Sequence, residues 1–144
     1  MTTLVQYKAS VNSVYGGTGA GANFALDSAA TTGNAICATV MMDPGVSVTS
    51  VTDSNGVALT LNKTAETNQQ ANENIYFYSI QSVSGTPTGI NVKTATDTTI
   101  SVWMEEVSGM ASASIVDVNP TKATGGYNTT PTMSLTTTTA DVYI

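Results

Sequence analysis

The 144-residue sequence predicts an all-β fold, a single antiparallel β-sandwich of jelly-roll or immunoglobulin-like type over residues 1–144. Three observations carry that prediction. Short apolar runs recur at intervals of about 8–12 residues, separated by turn-forming clusters such as Asp43-Pro44-Gly45, Asn55-Gly56 and Ser84-Gly85-Thr86-Pro87. Only 10% of residues are charged while Ser and Thr make up roughly a quarter of the chain, a polarity that suits exposed strand faces because Thr is β-branched. No stretch places apolar residues at the helical period of about 3.6. At 41% hydrophobic, a chain of this length buries about two thirds of its unfolded surface, enough for one domain without metal or disulfide.

Taken in order, residues 4–14 open as a strand, with Leu4, Gln6 and Lys8 alternating against Val5 and Tyr7. It ends at Gly16-Gly17-Thr18-Gly19-Ala20-Gly21. That run contains a G-x-G spacing, but a phosphate-cradling loop must open a helix, and residues 23–28 have no helical period. A plain loop is the reading. Further strands follow at 35–42, 46–53, 57–61, 74–80, 89–93 and 99–107, with 62–72 as the one long polar connection. Residues 115–118 and 136–144 have the composition of two more.

Ten carboxylates against Lys8, Lys63, Lys93 and Lys122, with no arginine, give a net charge of −6. Phosphate recognition leans on Arg forks and basic clusters, so nucleic acid is not an expected partner. No stretch approaches the ~20 apolar residues needed to span a bilayer, and residues 1–4 lack a basic segment leading into an apolar run, so no membrane insertion is expected. The lone Cys37 lies in the apolar run 35–42, where it reads as a small buried hydrophobe.

The chain has no histidine, which removes the commonest general base and zinc ligand and leaves carboxylates as the candidates for catalysis. Glu105 and Glu106 are adjacent on a predicted strand, so they point to opposite faces and cannot flank one substrate. Glu106 shares a face with Ile100, Val102 and Met104, which makes it a structural carboxylate at the edge of the core, accepting hydrogen bonds from the Ser108-Gly109 bend. No catalytic residue is assigned, and no enzyme is expected. Asp53-Ser54-Asn55-Gly56 copies part of a calcium loop without the bidentate Glu that such a loop needs, and an Asn-Gly turn explains the same letters. Asp27, Asp43, Asp97 and Asp117 could still converge on an ion, but no metal and no cofactor is assigned.

The order "V-T-D-S-N-G" at 51–56, "I-Y-F-Y" at 75–78, "I-N-V-K" at 90–93, "E-V-S-G" at 106–109 and "T-T-T-T-A-D-V-Y-I" at 136–144 resembles a β-sandwich module of tailed-bacteriophage structural proteins and bacterial surface proteins. The likeness covers roughly residues 35–144. It departs in Val57, where the module has Asn after the turn glycine, and in Val107, where it has Tyr. It implies a non-enzymatic structural subunit of a virion (capsid decoration, tail or fibre) or of an extracellular filament. The expected partners are copies of the chain and other virion or filament proteins, and the location a virion or extracellular surface.

The aromatic residues leave two uses open. Tyr76 and Tyr78 alternate with Ile75 and Phe77, so one strand offers rings to both faces: one must be core, and the other can be a subunit contact or a platform for a surface glycan. Tyr76 and Tyr78, with Val142, Tyr143 and Ile144 at the apolar end of the sequence, are the candidate interface residues. A carbohydrate-binding or adhesive module is the alternative function. Trp103 and Met104, inside the apolar run 99–107, are expected to pack between the sheets.

Overall fold

The structure is a computed structural model describing residues 2–14, 19–68 and 73–110. Among these there is no helix. Eight strands form two antiparallel sheets packed as a β-sandwich: β1 (Thr3–Val14), β2 (Gly21–Ala25), β3 (Ala35–Met42), β4 (Val48–Asp53), β5 (Thr60–Asn68), β6 (Glu73–Ile80), β7 (Gly89–Thr94) and β8 (Thr98–Ser108). One sheet has five strands in the order β1-β8-β3-β6-β5, the other three in the order β2-β7-β4.

Burial follows from position in the sheet. β3 lies between β6 and β8, and its run Ala35-Ile36-Cys37-Ala38-Thr39-Val40-Met41-Met42 is nearly continuous in apolar character: Ile36, Ala38, Val40 and Met42 face the core, while Cys37 and Met41 on the outer face are shielded by the neighbouring strands. β8 alternates instead, with Ile100, Val102 and Met104 inward and Trp103 outward. These side chains, with Ile36, Ala38, Val40, Met42 and Tyr78, meet Ala22, Phe24, Val51, Ile90 and Val92 of the smaller sheet, and Leu26, Leu59 and Val83 close the layer. Each large side chain removed from water there stabilises the sandwich by about 1.5–3 kcal/mol.

Several boundaries differ from expectation, each for a physical reason. Gly21–Ala25 is a strand rather than loop: Ala22 and Phe24 alternate into the core while the segment pairs with β7. The polar stretch after residue 61 continues as β5, an edge strand hydrogen-bonded to β6. The Asn55-Gly56 turn does not join two neighbours of one sheet. It closes locally, through Asp53 N–H to Val57 O (2.8 Å) and Leu59 N–H to Val51 O (2.9 Å), and the chain then crosses from β4 in the smaller sheet to β5 in the larger. Trp103 corrects the expectation of a core tryptophan. It is 49% exposed, because the two-residue period that sends Val102 and Met104 inward sends Trp103 to the opposite face. The predicted strands at 115–118 and 136–144, and with them Val142, Tyr143 and Ile144, lie outside the described residues.

Candidate functional site: the outer face of the five-stranded sheet

The outer face of a sandwich sheet meets water and is ordinarily polar. Here the register aligns apolar side chains across four strands. One cross-strand row runs Ala9, Trp103, Thr39, Phe77; the next toward one end runs Tyr7, Glu105, Cys37, Ser79, and toward the other Val11, Ser101, Met41, Ile75. Tyr7 is 59% exposed and Val11 69%, while Phe77, Met41 and Ile75 are half-buried by their neighbours. The rings of Tyr7 and Trp103 stack with centroids 6.4 Å apart and planes inclined by 27°, the spacing of an offset aromatic pair. Beside them, Cys37, Thr39, Met41, Phe77, Trp103 and Glu105 line an open groove of about 380 Å³.

The groove offers contact area and little chemistry. Among the described residues, Glu105 is the one charged side chain in its lining. Burial, reinforced by the negative charge of Glu105, pushes the Cys37 thiol up to about 11, so at neutral pH it carries a proton and is a poor nucleophile.

Tyr76 and Tyr78 correct the expectation that they face a partner. Tyr78 is in the core at 7% exposure, and Tyr76 packs half-buried against the same cluster, its hydroxyl donating to Val46 O at 3.3 Å. Their rings lie 6.4 Å apart. Burial, with the neighbouring Tyr76, raises the Tyr78 hydroxyl above its ordinary value. The outward rings of this part of the chain are Phe77 and, across the sheet, Trp103 and Tyr7. The alternation Tyr7-Ala9-Val11 and Ile75-Phe77 was the available signal.

Glu106 lies on the other face of β8 from Glu105, and it is fully buried. Its donors are not those of the Ser108-Gly109 bend. Oε2 accepts from Gln6 Nε2 at 2.5 Å, and Oε1 accepts from Thr31 N–H at 2.8 Å and Asn34 Nδ2 at 2.6 Å. Gln6 also donates from Nε2 to Ser28 O and accepts from Ser28 N–H, each at 3.2 Å. A carboxylate on β8 and an amide on β1 thus clasp the connection between β2 and β3. Burial pushes the Glu106 carboxyl up, but the bonds from Gln6, Thr31 and Asn34 outweigh it and hold the group below the ordinary carboxylate value.

Asp53 explains the calcium-like letters. Its Oδ1 accepts from Asn55 N–H (2.9 Å) and Val57 N–H (2.8 Å), an Asx turn that shapes the bend, while the residue is 1% exposed and its buried Oδ2 has no hydrogen-bond partner among the described residues. Asp27 instead pairs with Lys8 at 2.5 Å, and Asp43 accepts from Thr98 Oγ1 at 3.0 Å; Asp117 lies outside the described residues. Among the described residues no three His, Cys, Asp or Glu side chains are grouped to hold an ion, and no helix is long and apolar enough to cross a membrane.

Comparison with known protein families, with curated proteins and with solved structures gives no match to this chain.

Proposed function

We propose that this chain is a non-enzymatic structural subunit of a virion or extracellular filament, located on a virion or extracellular surface, that assembles with copies of itself. The observation that carries the reading is the apolar outer face of the larger sheet: Tyr7, Val11 and Trp103, exposed together on a monomer, are the composition of a contact surface. Among the described residues, the groove beside them holds a single carboxylate and a protonated thiol, which together supply no acid–base pair. The resemblance of the ordered motifs to phage structural and bacterial surface modules supports the setting. Sedimentation velocity of the full chain tests the reading. The expected result is a species of two or more chains at micromolar concentration, and a single-chain mass throughout would overturn it.

The exposure of Trp103 also favours a second reading, a carbohydrate-binding module. A stacked Tyr7–Trp103 pair with Glu105 and Thr39 close by presents ring faces for sugar C–H groups and acceptors for hydroxyls. Quenching or shift of the single tryptophan's fluorescence across a glycan panel, in protein that sediments as one chain, would favour this reading over assembly.

A further inference from the structure

We propose that the partner seated on this surface is a second copy of the chain, with the two five-stranded sheets packed face to face through Tyr7, Val11, Met41, Phe77 and Trp103. The inference rests on the assembly reading above and names the surface it uses.

Area and charge point to a second copy. Five strands spaced ~4.8 Å apart and about eight residues long at ~3.4 Å each make a face of ~650 Å², so two faces would bury ~1,300 Å². That lies within the range of about 1,200–2,000 Å² typical of specific stable interfaces. A sheet edge contributes one strand's width, a fraction of this. Charge is the second argument, because copies carrying −6 each repel, and least where the meeting surfaces are nearly neutral. Along the three cross-strand rows, β1, β8, β3 and β6 contribute one charged residue, Glu105, and β5 adds Lys63 in register with Phe77 and Glu66 in register with Ile75, so the rows sum to −1 against the −6 of the whole chain. The face is also self-complementary in kind. Stacked sheets lie ~10 Å apart with interdigitating side chains, and large rings on β1 and β8 beside the groove over β3 give ridge and hollow on one surface, as a two-fold contact requires.

The edge strand β1 is the competing route, since it pairs with β8 on one side and among the described residues is hydrogen-bonded to no strand on the other. Its register shift between Leu4 and Gln6 bends the edge, a device that discourages strand addition.

The test uses the full chain and its only tryptophan. Sedimentation is recorded over a dilution series for the wild type and for the Trp103→Lys and Val11→Lys variants, with Trp103 fluorescence followed alongside in the wild type and in Val11→Lys, which keep the tryptophan. The expected wild type is a dimer whose emission shifts to the red as it dissociates. Both variants should weaken association by at least ~30-fold, the loss typical of a hot-spot residue, while melting cooperatively. Val11 is the more exposed of the two, so its variant keeps the test valid should the Trp103 variant fold poorly. A folded Val11→Lys protein that still dimerises with wild-type affinity would overturn the face-to-face contact while leaving the assembly reading in place. A wild type of single-chain mass would overturn both, and blue-shifted emission in that monomer would assign the cover to the chain's own residues.

Discussion

Glu106 keeps a charge inside the sandwich because three donors from two segments converge on it, Gln6 on β1 and Thr31 and Asn34 on the connection between β2 and β3. The sequence placed this carboxylate on the core face of its strand from the two-residue period, but it could not name donors more than seventy residues away. Replacing it with Gln turns an acceptor oxygen into a donor facing other donors, and a hydrogen bond to a charged group contributes about 1.5–3 kcal/mol. Glu106→Gln should therefore destabilise the fold by at least ~2 kcal/mol near neutral pH, measured by urea unfolding. The pH dependence has a definite sign. The folded value lies below the ordinary 4.5, so the stabilisation is full above the unfolded value and is lost as pH falls through the folded one. The stability gap between wild type and variant should narrow below about pH 4.5, and a gap constant down to acid pH would show that the charge is not what the donors hold.

At the scale of elements, legibility tracked burial. β3 was readable to the residue because a central strand must be apolar, and its ends meet turn residues. β5 was not, because an edge strand binds one neighbour and its polar sequence gives no alternation to see. β2 hid behind a glycine run, with Ala22 and Phe24 as its only inward residues. The outer face was half legible: alternation assigns Tyr76 and Phe77 to opposite faces without saying which is core, and for Trp103 an apolar neighbourhood suggested the wrong one. Glycines divide in the same way. Gly56 has φ +87° and open space around it, whereas a side chain at Gly89 would stand 2.0 Å from the Phe24 carbonyl oxygen across the β2–β7 pair. Gly89→Ala should cost ~3 kcal/mol or more by forcing β2 from β7, while Gly56→Ala costs ~1 kcal/mol for its left-handed backbone. Equal losses in thermal or urea melts would mean that β2 yields to the methyl group.

At the scale of the whole molecule, the charge of −6 and the apolar face pull in opposite directions, and salt separates them. Two bodies of that charge about 30 Å apart in water repel by on the order of 5 kcal/mol before screening. With a Debye length of ~30 Å at 0.01 M salt, about a third of that survives; at 0.15 M the length is ~8 Å and nearly all of it is gone. Burial of Tyr7, Val11 and Trp103 is not weakened over this range, because the hydrophobic effect does not depend on ionic screening. Self-association should accordingly tighten by about 10–30-fold between 0.01 and 0.15 M salt, the equivalent of ~2 kcal/mol of relieved repulsion. An assembly held by ion pairs, for example Lys8 and Asp27 exchanging partners between copies, would weaken over the same range. Sedimentation equilibrium at the two salt concentrations distinguishes them by the sign of the change, and a weakening would move the contact from the sheet face to the charged rim.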